Sequence, residues 1–294
     1  MTADEHPGGI GTIGTHSVAR IGYGAMGLGS GVSEADAVAL LRQAVDLGVN
    51  HIDTAAFYDG GAVNSRIRAA LAPYREDLVI VSKVGARPTS EGIGLALAQR
   101  PAELRAGVEA NLAELGLEQI PVVNLRRADI GPGVIAEGEQ VVDLDDQLAE
   151  MIALREEGKV GAIGISNVDL ATLTRALPAG IVCVQNAYSL LDRRREAELE
   201  LCTERGLAWV PFFPLGSAFP AFPKVADNEV VQRIASEIGV TGAQVGLAWL
   251  LAHSPNVLLI AGTGSTAHLQ QNLDAGKIVL STAQLAALDE SPSS

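Results

Sequence analysis

Eight short apolar runs alternate with stretches of helical spacing along this chain, and that rhythm limits its fold more than any other feature. The runs are RIGYG, VNHID, LVIVSK, PVVNL, VGAIGIS, IVCVQN, LAWVPF and NVLLIAG. They lack the strict alternation of a strand with one wet face, so they predict parallel strands covered on both sides. Between them, residues 33 to 48 open on Ser33, a good N-cap, and stop at Gly48, a natural C-terminal stop. Residues 101 to 115 begin with Pro101 and end before Gly116. Leu144, Leu148, Met151, Ile152 and Leu154 share one side of residues 143 to 157, which halt at Gly158. Further helical patterns cover 63 to 72, 168 to 177, 194 to 205, 241 to 253 and 265 to 275. Strand-helix pairs in this number close most naturally into a (β/α)8 TIM barrel. With 48% hydrophobic content, residues 1 to 294 suffice for one domain with a large core. Ahead of the first strand, GTIGTHSVAR predicts a β-hairpin that plugs the barrel's bottom. Residues 127 to 142 and 213 to 228 break the rhythm as loops after the fourth and seventh strands, on the rim where loops shape a pocket.

Charge and cysteine usage narrow the functional classes. A formal net charge of -14 provides no global positive field for nucleic acid or an anionic membrane surface. Any phosphate must therefore be met by local groups. No uninterrupted apolar run approaches the roughly 20 residues of a membrane helix, and MTADEHPGG lacks the pattern of a targeting segment. Cys183 and Cys202 both fall in apolar or helical patterns, which predicts buried, reduced thiols suited to the cytoplasm. His6, His16, His51, His253 and His268 are scattered, which argues against a metal-dependent hydrolase and predicts no metal site. A small-molecule partner is what remains, in an oligomeric state the sequence does not fix.

Three ionisable side chains fall where predicted strands finish: Asp53 and Tyr58 in HIDTAAFYDGG, and Lys83 at the end of LVIVSK. The carboxyl ends of parallel strands converge on one rim, where such groups can tune one another. A free tyrosine has a pKa of about 10, so an adjacent cation is expected to make the phenol a readier proton donor. Lys83 supplies that charge, and Asp53 holds Lys83 protonated and oriented. The working end is the Tyr58 hydroxyl, able to protonate a carbonyl oxygen as hydride arrives at its carbon. Taken singly, each residue has a plainer explanation. Asp53 can cap a turn with Thr54, Tyr58 can be a rim aromatic and Lys83 an exposed strand end. Their coincidence at successive strand ends favours chemistry.

At this point the sequence resembles the aldo-keto reductase superfamily over nearly its whole length. HIDTAAFY resembles that family's Asp-bearing strand followed by its catalytic tyrosine, and VSK the strand ending in its lysine. GISN resembles the segment that binds the nicotinamide carboxamide, here through Ser166 and Asn167, and VQN supplies Gln185 for the same group. PFFPLGS resembles the stretch whose aromatic, here Phe212, stacks on the nicotinamide, while Pro214, Leu215, Gly216 and Ser217 approach the pyrophosphate. IAGTGSTAHLQQN resembles the adenosine-phosphate loop, placing Gly262, Thr263, Gly264, Ser265, His268, Gln271 and Asn272 near the coenzyme. Gly24, Ala25 and Met26 of GYGAMGLG, with Asp53, complete the coenzyme set that the resemblance implies. Isolated glycine pairs would be weak evidence, but these blocks follow one another in family order.

Two departures shape the expected activity. Where many members carry a histidine after the fourth strand, this chain has Arg126, whose fixed charge and planar donors can hold and polarise a carbonyl but cannot shuttle a proton. A salt bridge from Arg126 to Asp53 is the structural alternative. At the coenzyme loop, Gly262 replaces a common lysine and His268 a common arginine. Thr263, Ser265, His268 and a helix N-terminus can still receive a 2'-phosphate, so NADPH is expected ahead of NADH. VVNLR, IVCVQN, PFFPLG and GTGSTAHL together resemble a bacterial branch that includes pyridoxal reductases, which implies reduction of an aromatic aldehyde. The alternatives are a ketoreductase of a secondary-metabolite pathway and a low-turnover nicotinamide-binding regulatory subunit. After a strand-like run KIVLS only residues 282 to 294 follow, a short tail that predicts no long covering loop. The two rim loops then carry the substrate contacts, with Tyr23, Phe57, Phe219 and Phe222 as candidate apolar walls.

Overall fold

The computed structural model describes residues 6–90, 94–217 and 222–291. Strands β1 (Ile10–Ile13) and β2 (His16–Ala19) pair antiparallel as the expected hairpin. Strands β3 (Tyr23–Gly24), β4 (His51–Asp53), β5 (Val79–Val84), β8 (Ile120–Arg126), β9 (Val160–Ser166), β10 (Cys183–Gln185) and β11 (Ala208–Trp209) then run parallel in that spatial order. The eighth run is no regular strand, yet it closes the ring. Val257 bridges Trp209, and Leu259 bridges Ile21 on the other side. The Leu259 amide donates to the Arg20 carbonyl at 2.7 Å, and the Gly22 amide donates to that of Leu259 at 2.8 Å.

Around the ring stand α1 (Glu34–Asp46), α2 (Ala62–Leu71), α3 (Pro101–Leu115), α4 (Leu144–Glu156), α5 (Leu170–Ala176), α6 (Glu196–Arg205), α8 (Gly242–His253) and α9 (Thr266–Asp274). Their ends follow the residues expected to set them. Ser33 accepts from the Asp36 amide at the start of α1, and Gly116 at φ +67° ends α3. Helix α8 is apolar on most sides because most of it is buried, with Val245, Leu247, Trp249 and Leu250 each within 1% of full burial. No single helix among the described residues is long and apolar enough to cross a membrane.

Strand parity splits the core in two. Outward residues such as Ile52, Ile80, Val123 and Ile163 pack under the helices. Inward residues Val79, Val81, Val122, Ala208, Val210 and Leu258 meet Ile13 and Val18 of the hairpin, so the hairpin does fill the bottom of the lumen. Each fully buried Val, Leu or Ile among them contributes about 1.5–3 kcal/mol.

Three expectations need correction. An additional helix, α7 (Glu229–Ile238), stands between β11 and α8, capped by Asn228 and stopped by Gly239. KIVLS forms no strand: among the described residues none of its positions joins a ladder or bridge, and Val279 is 92% exposed. The tail beyond it folds as α10 (Thr282–Asp289), docked where the Trp249 indole N–H donates to Asp289 Oδ1 at 2.8 Å. Tyr23 is not a pocket wall: it points outward, is fully buried, and donates its hydroxyl proton to the Thr263 carbonyl. Phe219 lies outside the described residues. A second antiparallel hairpin, β6 (Ala86–Pro88) with β7 (Leu95–Leu97), stands above β5, in a stretch that carries no strand expectation.

His51, on the inward face of β4, is 1% exposed, and burial pushes its pKa from 6.5 down to about 4 against a weaker opposing contact with the Ala19 backbone. Below its ordinary pKa the unfolded chain takes up a proton that the fold refuses until about pH 4. Stability therefore falls as pH drops through that window, by about 3 kcal/mol from this residue. Denaturant unfolding of His51→Leu between pH 7 and 4 is expected to show a correspondingly flatter acid limb. An acid limb identical to that of the unsubstituted protein would refute this origin.

Candidate active site at the barrel mouth

Inward positions recur at every second residue of a strand. Asp53, Lys83, Arg126, Ser166 and Gln185 share the parity of the lumen-lining residues, and all stand at the carboxyl ends of their strands. Lys83 Nζ donates to Asp53 Oδ1 and, at 3.1 Å, to the Thr54 carbonyl. From the far side of the lumen, Gln185 Nε2 donates to Asp53 Oδ2 at 2.6 Å, so both carboxylate oxygens are engaged. Tyr58 lies in the short turn after β4, its ring centroid 5.1 Å from Lys83 Nζ. Left-handed backbone at Asp59, Gly60 and Gly61 turns the chain directly from this tyrosine into α2. The three side chains expected to act together are therefore brought together.

Their proton affinities depart from expectation in one respect. Burial raises the Tyr58 pKa above its ordinary 10; Lys83 pulls it down, Asp53 pushes it up, and the net direction is upward. The adjacent cation does not make this phenol acidic, because a buried phenolate loses its hydration and Asp53 already offsets Lys83. Burial also disfavours the Lys83 ammonium, but Asp53 and then Tyr58 outweigh it, and the Lys83 pKa is raised.

Arg126 ends β8 beside Ser166 of β9. It is half-buried, and its Nη1 has no hydrogen-bond partner among the described residues. The alternative salt bridge to Asp53 is not formed, since Asp53 is held by Lys83 and Gln185. Burial lowers the Arg126 pKa, with Tyr58 opposing.

Behind the strands lies a buried polar network that no sequence motif marks. Thr54 Oγ1 donates to Asn64 Oδ1 at 2.7 Å, Asn64 Nδ2 to Asn111 Oδ1 at 2.9 Å, and Ser82 Oγ to Asn111 Oδ1 at 2.6 Å. Thr54 follows Asp53 and Ser82 precedes Lys83, so the network ties both strand ends to α2 and α3. The available signal is a polar amide at a helix position whose neighbours in spacing, Ile67 and Val108, are core residues.

The residues expected at the coenzyme gather on the same rim. Ser166 is buried beside Asn167, whose Nδ2 donates to the Ile130 carbonyl at 2.7 Å and to that of Arg127 at 3.2 Å. Asn167 therefore anchors the loop after β8 with the donor expected to meet a carboxamide. Gln185 Oε1 is buried without a partner. Phe212 lies edge-on to Phe213 at 5.2 Å, and Pro214 bridges Gly216 in a tight turn. Leu215 packs against the outer core, while the Ser217 amide donates to the Phe222 carbonyl at 3.1 Å. At the seam between first and last strands, a Cβ on Gly24 would run into the Ile260 carbonyl oxygen, and one on Gly262 into that of Gly24. Ala25 is buried and Met26 is 60% exposed. Ser265 caps α9, accepting from the His268 amide while its own amide donates to Thr263 Oγ1 at 3.0 Å. Gly262, Gly264, His268 and Gln271 are exposed, and Asn272 is buried. A cleft of about 340 Å³ beside the mouth is lined in part by Pro132, Asn167, Asp192, Arg194 and Phe222. It includes none of Tyr58, Lys83 and Arg126, so it adjoins the polar cluster rather than containing it.

A parallel barrel with a buried carboxylate–ammonium pair beside a tyrosine at its C-terminal mouth has the form of a barrel enzyme whose chemistry sits on that face. The chain belongs to the aldo/keto reductase family, whose model matches residues 20–292. It is 43% identical over 285 residues to pyridoxine 4-dehydrogenase of Escherichia coli (strain K12), with 95% of this chain and 96% of that protein covered. A crystal structure of a thermostable aldo-keto reductase in complex with the inhibitor epalrestat is 30% identical, with a TM-score of 0.78 over 95% of this chain and 98% of that one. An aldo/keto reductase from Klebsiella pneumoniae in complex with NADP and acetate is 26% identical, with a TM-score of 0.77 over 95% and 94%.

Proposed function

We propose that this protein reduces an aldehyde or ketone to an alcohol with NADPH, with pyridoxal as the leading substrate. The meeting of Asp53, Lys83 and Tyr58 at the barrel mouth carries this reading. A reduced nicotinamide bound beside them supplies the hydride. Tyr58 is the general acid. A phenol whose pKa is raised stays protonated in the ground state, and it gives up its proton as the carbonyl oxygen gains the basicity of an alkoxide. Lys83, held charged by Asp53, stabilises the phenolate left behind, and Arg126 orients the carbonyl.

The residues present fit a dinucleotide. Gln185 offers a buried acceptor without a partner, suited to a carboxamide N–H. The side-chain-free seam at Gly24 and Gly262 lets a ligand approach the backbone, and α9 presents its N-terminal amides with Thr263, Ser265 and His268 around them. Those hydroxyls and amides favour the 2'-phosphate of NADPH over NADH, and Asn272 is placed for the adenine. The free, buried Cys183 and Cys202 accord with a cytoplasmic location.

Coenzyme oxidation, measured with NADPH and NADH against pyridoxal and a panel of bulky ketones, tests the proposal. NADPH with pyridoxal is expected to give the highest kcat/KM. A clear preference for a bulky ketone would point instead to a ketoreductase, and saturable coenzyme binding with no hydride transfer to any carbonyl would mark a regulatory subunit.

A further inference from the structure

The turn that carries Tyr58 is strained, and the groups that hold it lie behind the barrel. Asp59, Gly60 and Gly61 follow the tyrosine with φ of +49°, +61° and +88°, three successive left-handed residues. Backbone of this kind is costly at Asp59, which carries a side chain, and it persists only where the surroundings fix it. Two clamps do so. At the base, Thr54 Oγ1 donates to Asn64 Oδ1 at 2.7 Å, which closes residues 54 to 64 into a loop with Tyr58 inside it. At the far end, the Glu114 carboxylate of α3 lies directly on Gly61, where an added Cβ would stand 2.3 Å from Glu114 Oε1. Gly61 is also the cap of α2 and offers no side chain of its own, so this oxygen meets the positive end of that helix.

One side chain joins the two clamps. Asn64 is fully buried, and besides Thr54 it meets Asn111 Oδ1 at 2.9 Å and Glu114 Oε2 at 2.8 Å through its Nδ2 donors. The Thr54 carbonyl in turn accepts from Lys83 Nζ at 3.1 Å, so the clamped segment touches both the phenol's turn and the ammonium. As a stabiliser Glu114 is a poor choice. It is half-buried, burial raises its pKa, and among the described residues only the Asn64 amide opposes that rise. We propose that Glu114 is a positioning residue for the reduction, acting through Gly61 and Asn64 to hold the Tyr58 hydroxyl within reach of Lys83 and the carbonyl. This rests on the reading of Tyr58 as the general acid and extends the machinery to the outside of the barrel. Glu114 borders a groove shared with Ser65, Arg68 and Ala113 of α2 and α3, away from the coenzyme rim, so any effect on hydride transfer must pass through the turn.

The test is single-turnover reduction, by the full chain with bound NADPH, of the carbonyl that the coenzyme-oxidation panel ranks first. Glu114→Leu is expected to lower the rate by roughly 10- to 100-fold, the range for a misplacement of up to about 1 Å. Coenzyme affinity should stay within a factor of about two. Glu114→Gln keeps the size and an oxygen for Asn64, and should stay within about fivefold of the unsubstituted rate, the share of the lost charge at the helix end. In a Tyr58→Phe background Glu114→Leu should cost the residual rate nothing further, because the hydroxyl it positions is gone. A merely structural residue would lower both backgrounds alike. That result, or a Glu114→Leu rate equal to the unsubstituted one, would overturn the proposal. An unchanged rate in Tyr58→Phe alone, or no reduction of any carbonyl, refutes the reductase reading instead, and amide exchange then decides the positioning. The Tyr58 amide, which donates to the Ala55 carbonyl at 3.1 Å, and those up to Gly61 should exchange about tenfold faster or more in Glu114→Leu, while the amides of β9 keep their rates. Equal exchange of the turn in both proteins, or faster exchange throughout the chain, would sink it.

Discussion

Replacing Tyr58 with Phe is expected to lower kcat by about 10²- to 10⁴-fold, the usual contribution of a positioned general acid. Coenzyme affinity should stay within a factor of about two, because the variant removes only the hydroxyl and leaves the bound dinucleotide's contacts in place. The ring also keeps its edge-on contact with Phe57 at 5.2 Å, so the fold should be undisturbed. A pH profile adds a signature. Since the Tyr58 pKa is raised, carbonyl reduction by the unsubstituted enzyme should hold through neutral pH and fall only on the alkaline side of about 10, as the phenol ionises. Single-turnover kinetics with bound coenzyme would isolate the chemical step. An unchanged single-turnover rate in Tyr58→Phe would remove this residue from the reaction.

Lys83→Met should damage both stability and turnover. The substitution deletes the ammonium but leaves the Asp53 carboxylate buried, with only Gln185 on its second oxygen. An uncompensated buried charge of this kind costs about 3–5 kcal/mol. Adding Asp53→Asn should recover much of that loss, because the remaining pair is neutral and isosteric with the original carboxylate. Turnover should not recover with it, since neither variant supplies a cation to stabilise the Tyr58 phenolate. Urea unfolding of both single variants and the double variant gives the coupling energy directly. Additive effects, or a Lys83→Met protein as stable as its parent, would contradict the buried pair described here.

The barrel was legible because its signal is repeated. A Val- or Ile-rich run followed by a capped helical stretch recurs along the whole chain, and an error at one boundary does not alter the closure. Helix α7 carries its own marks in Asn228, Gly239 and the spacing of Val231, Ile234 and Ala235, but it falls outside the one-helix-per-strand alternation that defines the barrel. KIVLS misleads for the opposite reason: β-branched residues mark strands only where a neighbour offers hydrogen bonds, and among the described residues this run pairs with none. In the site, the positions of Asp53, Tyr58 and Lys83 follow from strand ends alone. The direction of the Tyr58 shift does not, since it depends on how completely the phenol is buried and how far Asp53 cancels Lys83. Of the Thr54–Asn64–Asn111–Ser82 network only the amides carry a signal, as polar residues at core-spaced helix positions; which partners they meet is not legible, because the members are far apart in sequence and share no motif.

The ring closes where Arg20 to Gly22 meet Leu259, and that junction has a bearing on synthesis. A growing chain that has not yet delivered residues 257 to 259 holds an open sheet with two raw borders, one at Ile21 and one at Trp209. Unpaired strand borders invite association between molecules. The last apolar run thus covers both borders at once, and a chain truncated before residue 257 is expected to associate with its own kind.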